Sequence, residues 1–356
     1  MFDLSVFSPL TILKFGLIGL APILLWVWFF QRQNPLRNRY VILTFLAGML
    51  SVLPIKLYEK YWGHAIWYFE HVNLFEHLAD LVAMPGAPKL LAFVVVSGIV
   101  AAALFLFSAV LMGVIEMISG DNSFRVFRRK VGKIFESPFL FVSMGVLFGV
   151  AGYALSSVFP SRVWFFVVVG MLEEFIKYLM LRFSNEEKIK SVSDAISYAI
   201  IIALGFAFVE NILYLQKFWA SSGENSSQFF LFFVLRSSFS VVAHVCFSAI
   251  LGYFYGMAHF SEEMYRDKAQ QRKHPLLRFM HKVLHLKSGV LFHEEKLMEG
   301  MLWAMIAHAV FNSLLEFGQV AALVPFLLIL FFFILHLLHR KDTHQQWGHV
   351  LSKPFL

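Results

Sequence analysis

The sequence contains very little cysteine and little charge. Only Cys246 is a cysteine, and it lies within an apolar run, so neither a disulfide framework nor a cluster of cysteine metal ligands is expected. Charged residues make up 15% of the 356 residues, and hydrophobic residues make up 59%. A soluble domain of this length would carry more charge and shorter apolar runs. The composition therefore predicts a membrane protein.

The chain also lacks a Gly/Ser-rich or proline-rich linker, an evident internal repeat, and the basic segment of a signal peptide. We therefore expect the first apolar segment to remain in the mature protein. A helix needs about 20 apolar residues to cross a bilayer. About nine stretches satisfy this length, namely residues 10–30, 40–58, 90–117, 138–159, 163–182, 194–215, 229–259, 299–317 and 320–338. The predicted fold class is an all-α, polytopic transmembrane helix bundle.

Lysine and arginine residues are concentrated in alternate loops, after the first, third, fifth and seventh spans. Basic loops usually stay in the cytoplasm, so we predict an outer N-terminus and a cytoplasmic C-terminus. The longest basic segment, residues 260–298, suits contact with anionic lipid. These loops explain the net charge of +7, and we expect the lipid bilayer rather than a nucleic acid as a partner.

One polar cluster lies in a predicted outer loop between the second and third spans. It consists of His64, Glu70, His71, Glu76, His77 and Asp80. Such residue types can bind metal, but these lack a regular ligand spacing and are interleaved with aromatic residues. We interpret the cluster as the polar face of a helix at the membrane interface.

Ionisable and polar side chains are concentrated in the fifth to eighth spans, whereas the other five are nearly free of charge. An ionisable residue at the membrane centre costs about 3 kcal/mol, so such residues usually mark function. The residues of this group are Glu173, Glu174, Lys177, Glu210, Asn211, Arg236, Ser240, His244, Ser248, His308, Asn312 and Glu316. At about 1.5 Å of rise per residue, Glu173, His244 and His308 reach a similar depth. We expect these three to meet, with Glu210 and Asn312 on the outer side.

The spacing within the fifth span predicts one pairing. Glu173 and Lys177 are four residues apart in the order that suits an ion pair on a helix. Glu174 points about 100° away and needs a partner from another helix or from water.

Each polar residue taken alone also has a purely structural explanation. His244 could be a packing residue that is held by hydrogen bonds. Asn312 could form an interhelical hydrogen bond worth about 1 kcal/mol. Asp194 resembles a helix N-cap, Arg236 suits a side chain that reaches the interface, and Gly205 permits close helix contact. The concentration of polar residues in four neighbouring spans favours a functional site instead.

Carboxylates and imidazoles in a dry cavity suit water activation and the stabilisation of an oxyanion. The sequence has no evident Ser-His-Asp set, paired-aspartate motif or His-Glu-x-x-His zinc motif. His244 and His308 could nonetheless form a zinc site with one glutamate, either Glu173 or Glu210.

Four motifs follow one another on these spans. They are Glu173-Glu174-x-x-Lys177, Gly205-Phe206-x-x-x-Glu210-Asn211, His244 followed by Gly252-Tyr-Phe-Tyr-Gly, and His308-x-x-x-Asn312. In these motifs the chain resembles the PrsW family of intramembrane proteases, relatives of the CAAX-prenyl endopeptidase and bacteriocin-processing (CPBP/ABI) superfamily. The resemblance covers about residues 164–317.

The resemblance implies an enzyme that cuts peptide bonds in or beside membrane segments, such as those of single-pass regulators or anti-sigma factors, in a bacterial cytoplasmic membrane. It implies that Glu173 is the general base on water, oriented by Glu174 and Lys177. His308 and Asn312 would hold the water or the oxyanion. Glu210 would be a second water ligand or a proton shuttle. We predict a reaction without a certain cofactor, with zinc as the alternative.

On this interpretation residues 1–60 form an N-terminal hairpin and residues 61–161 an insertion. Residues 162–320 form the catalytic core, and residues 321–356 the last span and a tail. The rival function is a proton-coupled transporter or channel, since Glu, Lys and His in adjacent spans also form proton relays. Transporters usually contain internal repeats, however. An inactive scaffold that binds other membrane segments is the third possibility.

Overall fold

The structure, a computed structural model, describes residues 9–70, 87–118, 138–185, 188–222, 226–261 and 288–342. Within these ranges the chain is helical, without a β-strand, as the all-α prediction requires. The α-helices are α1 Pro9–Gln33, α2 Asn38–Leu50, α3 Val52–Glu70, α4 Ala87–Ile118, α5 Pro138–Val158, α6 Ser161–Asn185, α7 Val192–Ser222, α8 Ser226–Leu235, α9 Val241–His259, α10 Ser288–Glu316 and α11 Val320–Asp342. The outer-loop cluster beyond Glu70 and most of the basic segment 260–298 lie outside the described residues.

Seven helical segments are long and apolar enough to cross a membrane, counted over the described ranges. They are Leu13–Arg32, Asn38–Trp62, Lys89–Ile115, Val192–Ser221, Ser227–His259, Phe292–Glu316 and Val320–Leu337. Helix α6 is not among them because ionisable residues occupy its middle, and α5 contributes a shorter apolar stretch, Gly145–Val158. A multi-pass membrane helix bundle is thus confirmed. The count of about nine spans and the orientation stay predictions.

Two of the predicted spans are not continuous α-helices. Helices α2 and α3 are separated at Ser51, whose N–H donates to Ala47 O at 3.0 Å and whose hydroxyl donates to Gly48 O at 2.7 Å. Pro54, the third residue of α3, lacks the N–H that a helix continuing from α2 would use. The long seventh span is interrupted between α8 and α9 by a five-residue π-helix, Arg236–Ser240.

Helix α7 lies at the centre of the bundle, with 83% of its apolar window buried. It packs most extensively against α9 and α2. Small residues permit this contact, because a Cβ at Gly205 would lie 2.2 Å from Phe45 O of α2. On the opposite side, a Cβ at Gly252 of α9 would lie 2.7 Å from Cα of Ile196.

Four helices surround the polar residues. Helix α6 contacts α7 and α10, and α9 contacts α7 and α10 as well, so the four form a closed ring. Helices α1 and α2 cover α7 on the outside, α4 and α5 cover α6, and α11 covers α9 and α10. This outer layer separates the charged centre of α6 from lipid, which explains how a helix with two carboxylates and an ammonium can lie within a membrane protein.

Helix α7 begins with a cap that differs from the prediction. The Asp194 N–H donates to Ser191 Oγ at 3.1 Å, so Ser191 is the capping residue and Asp194 lies in the first turn. The Asp194 carboxylate instead accepts from Lys190 N at 3.0 Å and from Asn34 Nδ2 at 3.1 Å. The prediction of Asp194 as N-cap was wrong because the two serines before it offered equally good caps.

Candidate active site

The three ionisable residues at the middle of α6 are almost fully buried. Glu173, Glu174 and Lys177 have relative exposures of 3%, 0% and 1%. Buried charges persist only where other groups compensate them, so the surrounding helices must supply partners.

Lys177 pairs with Glu174, not with Glu173. Its Nζ donates to Glu174 Oε1 at 2.7 Å and lies 3.0 Å from His244 Nδ1 of α9. The predicted Glu173–Lys177 pair was wrong, because the histidine on α9 draws the ammonium toward the side of α6 that Glu174 occupies. Lys177 also lies 4.5 Å from the ring centroid of Phe206 on α7.

His308 of α10 joins both glutamates of α6. Its Nδ1 lies 2.8 Å from Glu174 Oε1, and its Nε2 lies 3.6 Å from Glu173 Oε2. Because a carboxylate only accepts, Nδ1 carries the hydrogen and Nε2 of the neutral ring keeps a free lone pair. Glu173 Oε2 is buried without a hydrogen-bond partner among the described residues. A lone pair and an unpartnered carboxylate oxygen therefore face each other.

His244 of α9 is held at both ring nitrogens. Its Nδ1 accepts from Lys177, since an ammonium only donates, and its Nε2 donates to Glu210 Oε2 of α7 at 2.9 Å. The ring centroids of His244 and His308 are 5.2 Å apart. The structure thus brings Glu173, His244 and His308 together, with Glu210 beside them.

Arg236 completes the far side of this network. Its Nη2 lies 3.1 Å from Glu210 Oε2, and its Nε donates to Asn211 Oδ1 at 3.0 Å. The interpretation of Arg236 as a side chain that reaches the interface was wrong, because Glu210 provides a buried countercharge. Its place four residues from Ser240 and eight from His244 was the signal in the sequence.

Asn312 lies outside the charged network. Its Nδ2 donates to the backbone oxygen of Phe166 at 2.9 Å, which ties α10 to α6. Gly170 of α6 makes room for this arrangement, because a Cβ there would lie 2.9 Å from Asn312 Nδ2 and 3.0 Å from His308 Cδ2. No feature of the sequence indicated this role for Gly170.

The residues fit a metal ion by their donor chemistry. Glu173, His244 and His308 each offer a ligand atom, and these atoms lie within 4.8 Å of one another. Two imidazoles and one carboxylate are a common zinc set with an open position. The bond from His308 Nδ1 to Glu174 is of the kind that, in metal sites, orients a ligating histidine. Glu173 suits this set better than Glu210, which is engaged by Arg236 and His244.

Comparisons with known proteins agree with this geometry. The sequence model of a family described as PrsW family intramembrane metalloprotease matches residues 86–338, a range that includes α4 and α5. Protease PrsW of Oceanobacillus iheyensis is 27% identical over 199 residues, which cover 54% of this chain and 75% of that protein. Protease PrsW of Geobacillus kaustophilus is 32% identical over 98 residues, which cover 27% of this chain and 39% of that protein. No solved structure matches significantly.

These matches support an intramembrane endopeptidase and give no support to the transporter alternative. The resemblance to PrsW proteases is confirmed, and the family match extends over more than half of the chain. By its four-helix polar centre and by its sequence, the chain belongs to the PrsW family of intramembrane metalloproteases.

Proposed function

We propose that Glu173 activates the water that hydrolyses a peptide bond in or beside a transmembrane segment of a membrane-protein substrate. The unpartnered Oε2 of Glu173, facing Nε2 of His308, is the observation that carries this proposal. A water molecule held by the carboxylate would lose a proton to it as the oxygen attacks the carbonyl carbon. Glu173 would then deliver the proton to the leaving amine.

The two adjacent glutamates have different roles in this proposal. Glu174 Oε1 accepts hydrogen bonds from both Lys177 and His308, so we assign Glu174 to holding those side chains in place, although its Oε2, like that of Glu173, is buried without a partner among the described residues. It fixes the tautomer of His308 and leaves the lone pair of Nε2 free to accept a hydrogen bond from the water. Lys177 balances the charge of Glu174 and positions His244 through Nδ1.

Glu210 and Asn312 act at the edges of the site. Glu210 accepts a hydrogen bond from His244, and its Oε2 also pairs with Arg236. Because that oxygen is already engaged, we assign Glu210 to proton transfer through His244 rather than to direct binding of water. Asn312 fixes α10 against α6 through Phe166, and we assign it to the positioning of His308.

Zinc is the alternative cofactor, held by Glu173, His244 and His308. When bound there it would supply a Lewis acid and lower the pKa of a bound water toward neutrality. His244 would exchange one of its two present hydrogen bonds for the metal. The unpartnered Glu173 and the oriented His308 support this set.

The substrate class that fits best is a single-pass membrane protein, such as an anti-sigma factor or another regulator, in the bacterial cytoplasmic membrane. Support comes from the enclosure of the site by membrane helices and from the bacterial relatives. The four motifs also support a distant relationship to the CAAX-prenyl endopeptidase group.

The test compares the membrane proteomes of cells with the wild-type protein and with Glu173→Ala. An intact single-pass protein should accumulate with Glu173→Ala and with His308→Ala, but not with Glu316→Ala, an exposed control at the end of α10. If neither site variant changes any membrane protein, the proposed role of Glu173 is lost.

The zinc content of the purified protein tests whether zinc is the cofactor. Purified wild-type protein should contain about one zinc per chain if zinc is the cofactor, and His308→Ala should contain none at equal helicity. Full cleavage by metal-free wild type after chelation would remove zinc from the mechanism and leave Glu173 as the base.

A further inference from the structure

The helical segment that carries His244 contains a π-helix directly before it. The π-helix comprises Arg236–Ser240, and the N–H of Val241 donates to Arg236 O, five residues back. Such wide turns inside α-helices are rare and occur frequently at functional sites. Arg236 is the first residue of this turn.

The π-helix determines where Arg236 points. Along a continuous α-helix, residues eight positions apart face directions about 80° apart. Since a π-helical turn takes up one additional residue, the interruption turns Arg236 back toward the face of His244. Both side chains consequently contact the same atom, Oε2 of Glu210, at 3.1 Å and 2.9 Å.

The guanidinium group of Arg236 contacts two residues of α7. Nη2 binds Glu210 while Nε binds Asn211, so two neighbouring residues of α7 are held by one planar group. Its Cζ also lies 3.9 Å from the ring centroid of Tyr214, one turn further along α7. The Arg236 side chain is only 15% exposed and the Glu210 side chain only 10%, which limits solvent screening of the pair.

We infer that Arg236 is a positioning residue for peptide-bond hydrolysis, which acts through Glu210 to hold the imidazole of His244 beside Glu173 and His308. Arg236 compensates the charge of Glu210 and fixes its carboxylate, so that Oε2 stays on Nε2 of His244. Without Arg236 a buried carboxylate would lose its principal countercharge. It would then turn toward other cations, such as Lys56, with which it interacts electrostatically.

This inference rests on the proposed roles of Glu210 and His244. The experiment distinguishes a failure of the inference about Arg236 from a failure of those proposed roles. The substrate is the single-pass protein that accumulates with Glu173→Ala, reconstituted in liposomes with the purified protease. Arg236→Met should lower kcat about 10- to 100-fold, the usual effect of losing a group that orients a site residue. KM should stay within about 2-fold, because Arg236 acts on the site and not on the substrate.

Two further variants identify the route of the effect. Arg236→Lys keeps the positive charge but loses the planar group that binds Glu210 and Asn211 together. Its kcat should therefore lie between that of Arg236→Met and that of the wild type. Arg236→Met combined with Glu210→Gln should be no slower than Glu210→Gln alone, because both changes break the same link. Lys296→Met is the control, since it removes a partly buried, paired lysine at the other end of the bundle.

Each outcome supports or overturns a distinct statement. Normal kcat with Arg236→Met while Glu210→Gln is slow overturns the inference about Arg236, as do additive losses in the double variant. Normal kcat with both Glu210→Gln and His244→Ala overturns the proposed roles of those two residues instead. If Arg236→Met does not accumulate in membranes, the test uses Arg236→Lys instead. A wild-type kcat in Arg236→Lys would contradict the proposed role of the guanidinium group.

Discussion

Glu174 and Glu173 are adjacent in sequence but differ in their surroundings. Glu174 Oε1 accepts from both Lys177 and His308, whereas Glu173 Oε2 has no partner among the described residues. A single residue step on a helix turns the side chain by about 100°, enough to place one carboxylate among donors and the other beside a free lone pair. The two adjacent glutamates therefore have different neighbours, although Glu174 Oε2 is also buried without a partner among the described residues.

The buried pair of Lys177 and Glu174 predicts a large stability effect. Lys177→Met should destabilise the fold by about 3–5 kcal/mol, because it leaves the fully buried Glu174 without its cation. Unfolding in mixed micelles, followed by circular dichroism, measures the change. The double variant Lys177→Met with Glu174→Gln should regain part of the loss, since no unpaired charge then remains. Wild-type stability of Lys177→Met would contradict the pairing.

Gly170 predicts an effect on activity. Gly170→Ala would place a methyl group 2.9 Å from Asn312 Nδ2 and 3.0 Å from the His308 ring, so His308 must shift. Displacements of about 1 Å in an active site can reduce rates about 100-fold, and we expect a loss of at least 10-fold in substrate cleavage. Gly98→Ala is the matched control, as its Cβ meets nothing within 4 Å. Equal activities of the two variants would show that His308 is not confined by Gly170.

At the residue scale the sequence predicted which residues meet but not how they pair. Residue depth along each helix places Glu173, His244 and His308 at one level, and the structure brings them together. Pairing depends on which helix faces which, and helical spacing reports only neighbours on the same helix. For that reason the Glu173–Lys177 pair was wrong and the Arg236–Glu210 pair was missed.

At the scale of elements, α2 packs closely against the outer side of α7, which is one of the four helices of the site. Phe45 O of α2 and Gly205 of α7 are so close that a Cβ at Gly205 would lie 2.2 Å from that oxygen. Helix interfaces in membranes use small residues for such contacts. The sequence motif that contains Gly205 thus combines a packing glycine with Glu210, one and a half turns later on the same helix.

Gly205→Ala should separate α2 from α7. Overpacking of a close contact typically costs about 1–3 kcal/mol, and here the obstacle is backbone that cannot rotate away. Unfolding in mixed micelles should therefore show a loss of this size. Gly98→Ala, again without a close neighbour, should unfold as wild type. An unchanged stability of Gly205→Ala would mean that the two helices lie further apart than the structure places them.

Helix interruptions were the elements least visible in the sequence. Hydrophobic length predicted the second and seventh spans but not the break at Ser51 or the π-helix at Arg236–Ser240. The segments on both sides of each break are apolar, so hydrophobic length does not reveal the interruptions. The overlong seventh span was the one sign that the segment is not a regular α-helix.

At the scale of the whole molecule, the least apolar helix of the polar centre is enclosed by other helices. Helix α6 is surrounded by α4, α5, α7 and α10, so its charges meet protein rather than lipid. Hydropathy does not report enclosure, because α7 satisfies the membrane criterion with 83% of its apolar window buried, whereas α6 fails it because of the ionisable residues at its middle. The distinction between lipid-facing and enclosed helices requires the packing of the whole bundle.

The orientation of the bundle remains a prediction that α7 can test, because Lys190 and Lys217 are exposed at its opposite ends. The part of α7 from Val192 to Lys217 corresponds to about 40 Å of helix, enough to cross a bilayer. The uneven distribution of basic residues places Lys190 in the cytoplasm and Lys217 outside. Single cysteines can be introduced as Lys190→Cys or Lys217→Cys in a Cys246→Ala background and labelled with a membrane-impermeant maleimide in spheroplasts.

Lys217→Cys should react in intact spheroplasts, and Lys190→Cys should react only after permeabilisation. The unsubstituted protein is the control, since Cys246 is 2% exposed and should stay unlabelled. The reverse pattern would contradict the predicted orientation, and labelling of both variants in intact spheroplasts would show that α7 does not cross the membrane. With the predicted result, Glu210 and Arg236, which lie in the half of α7 and its neighbour nearer Lys217, belong to the outer side of the site.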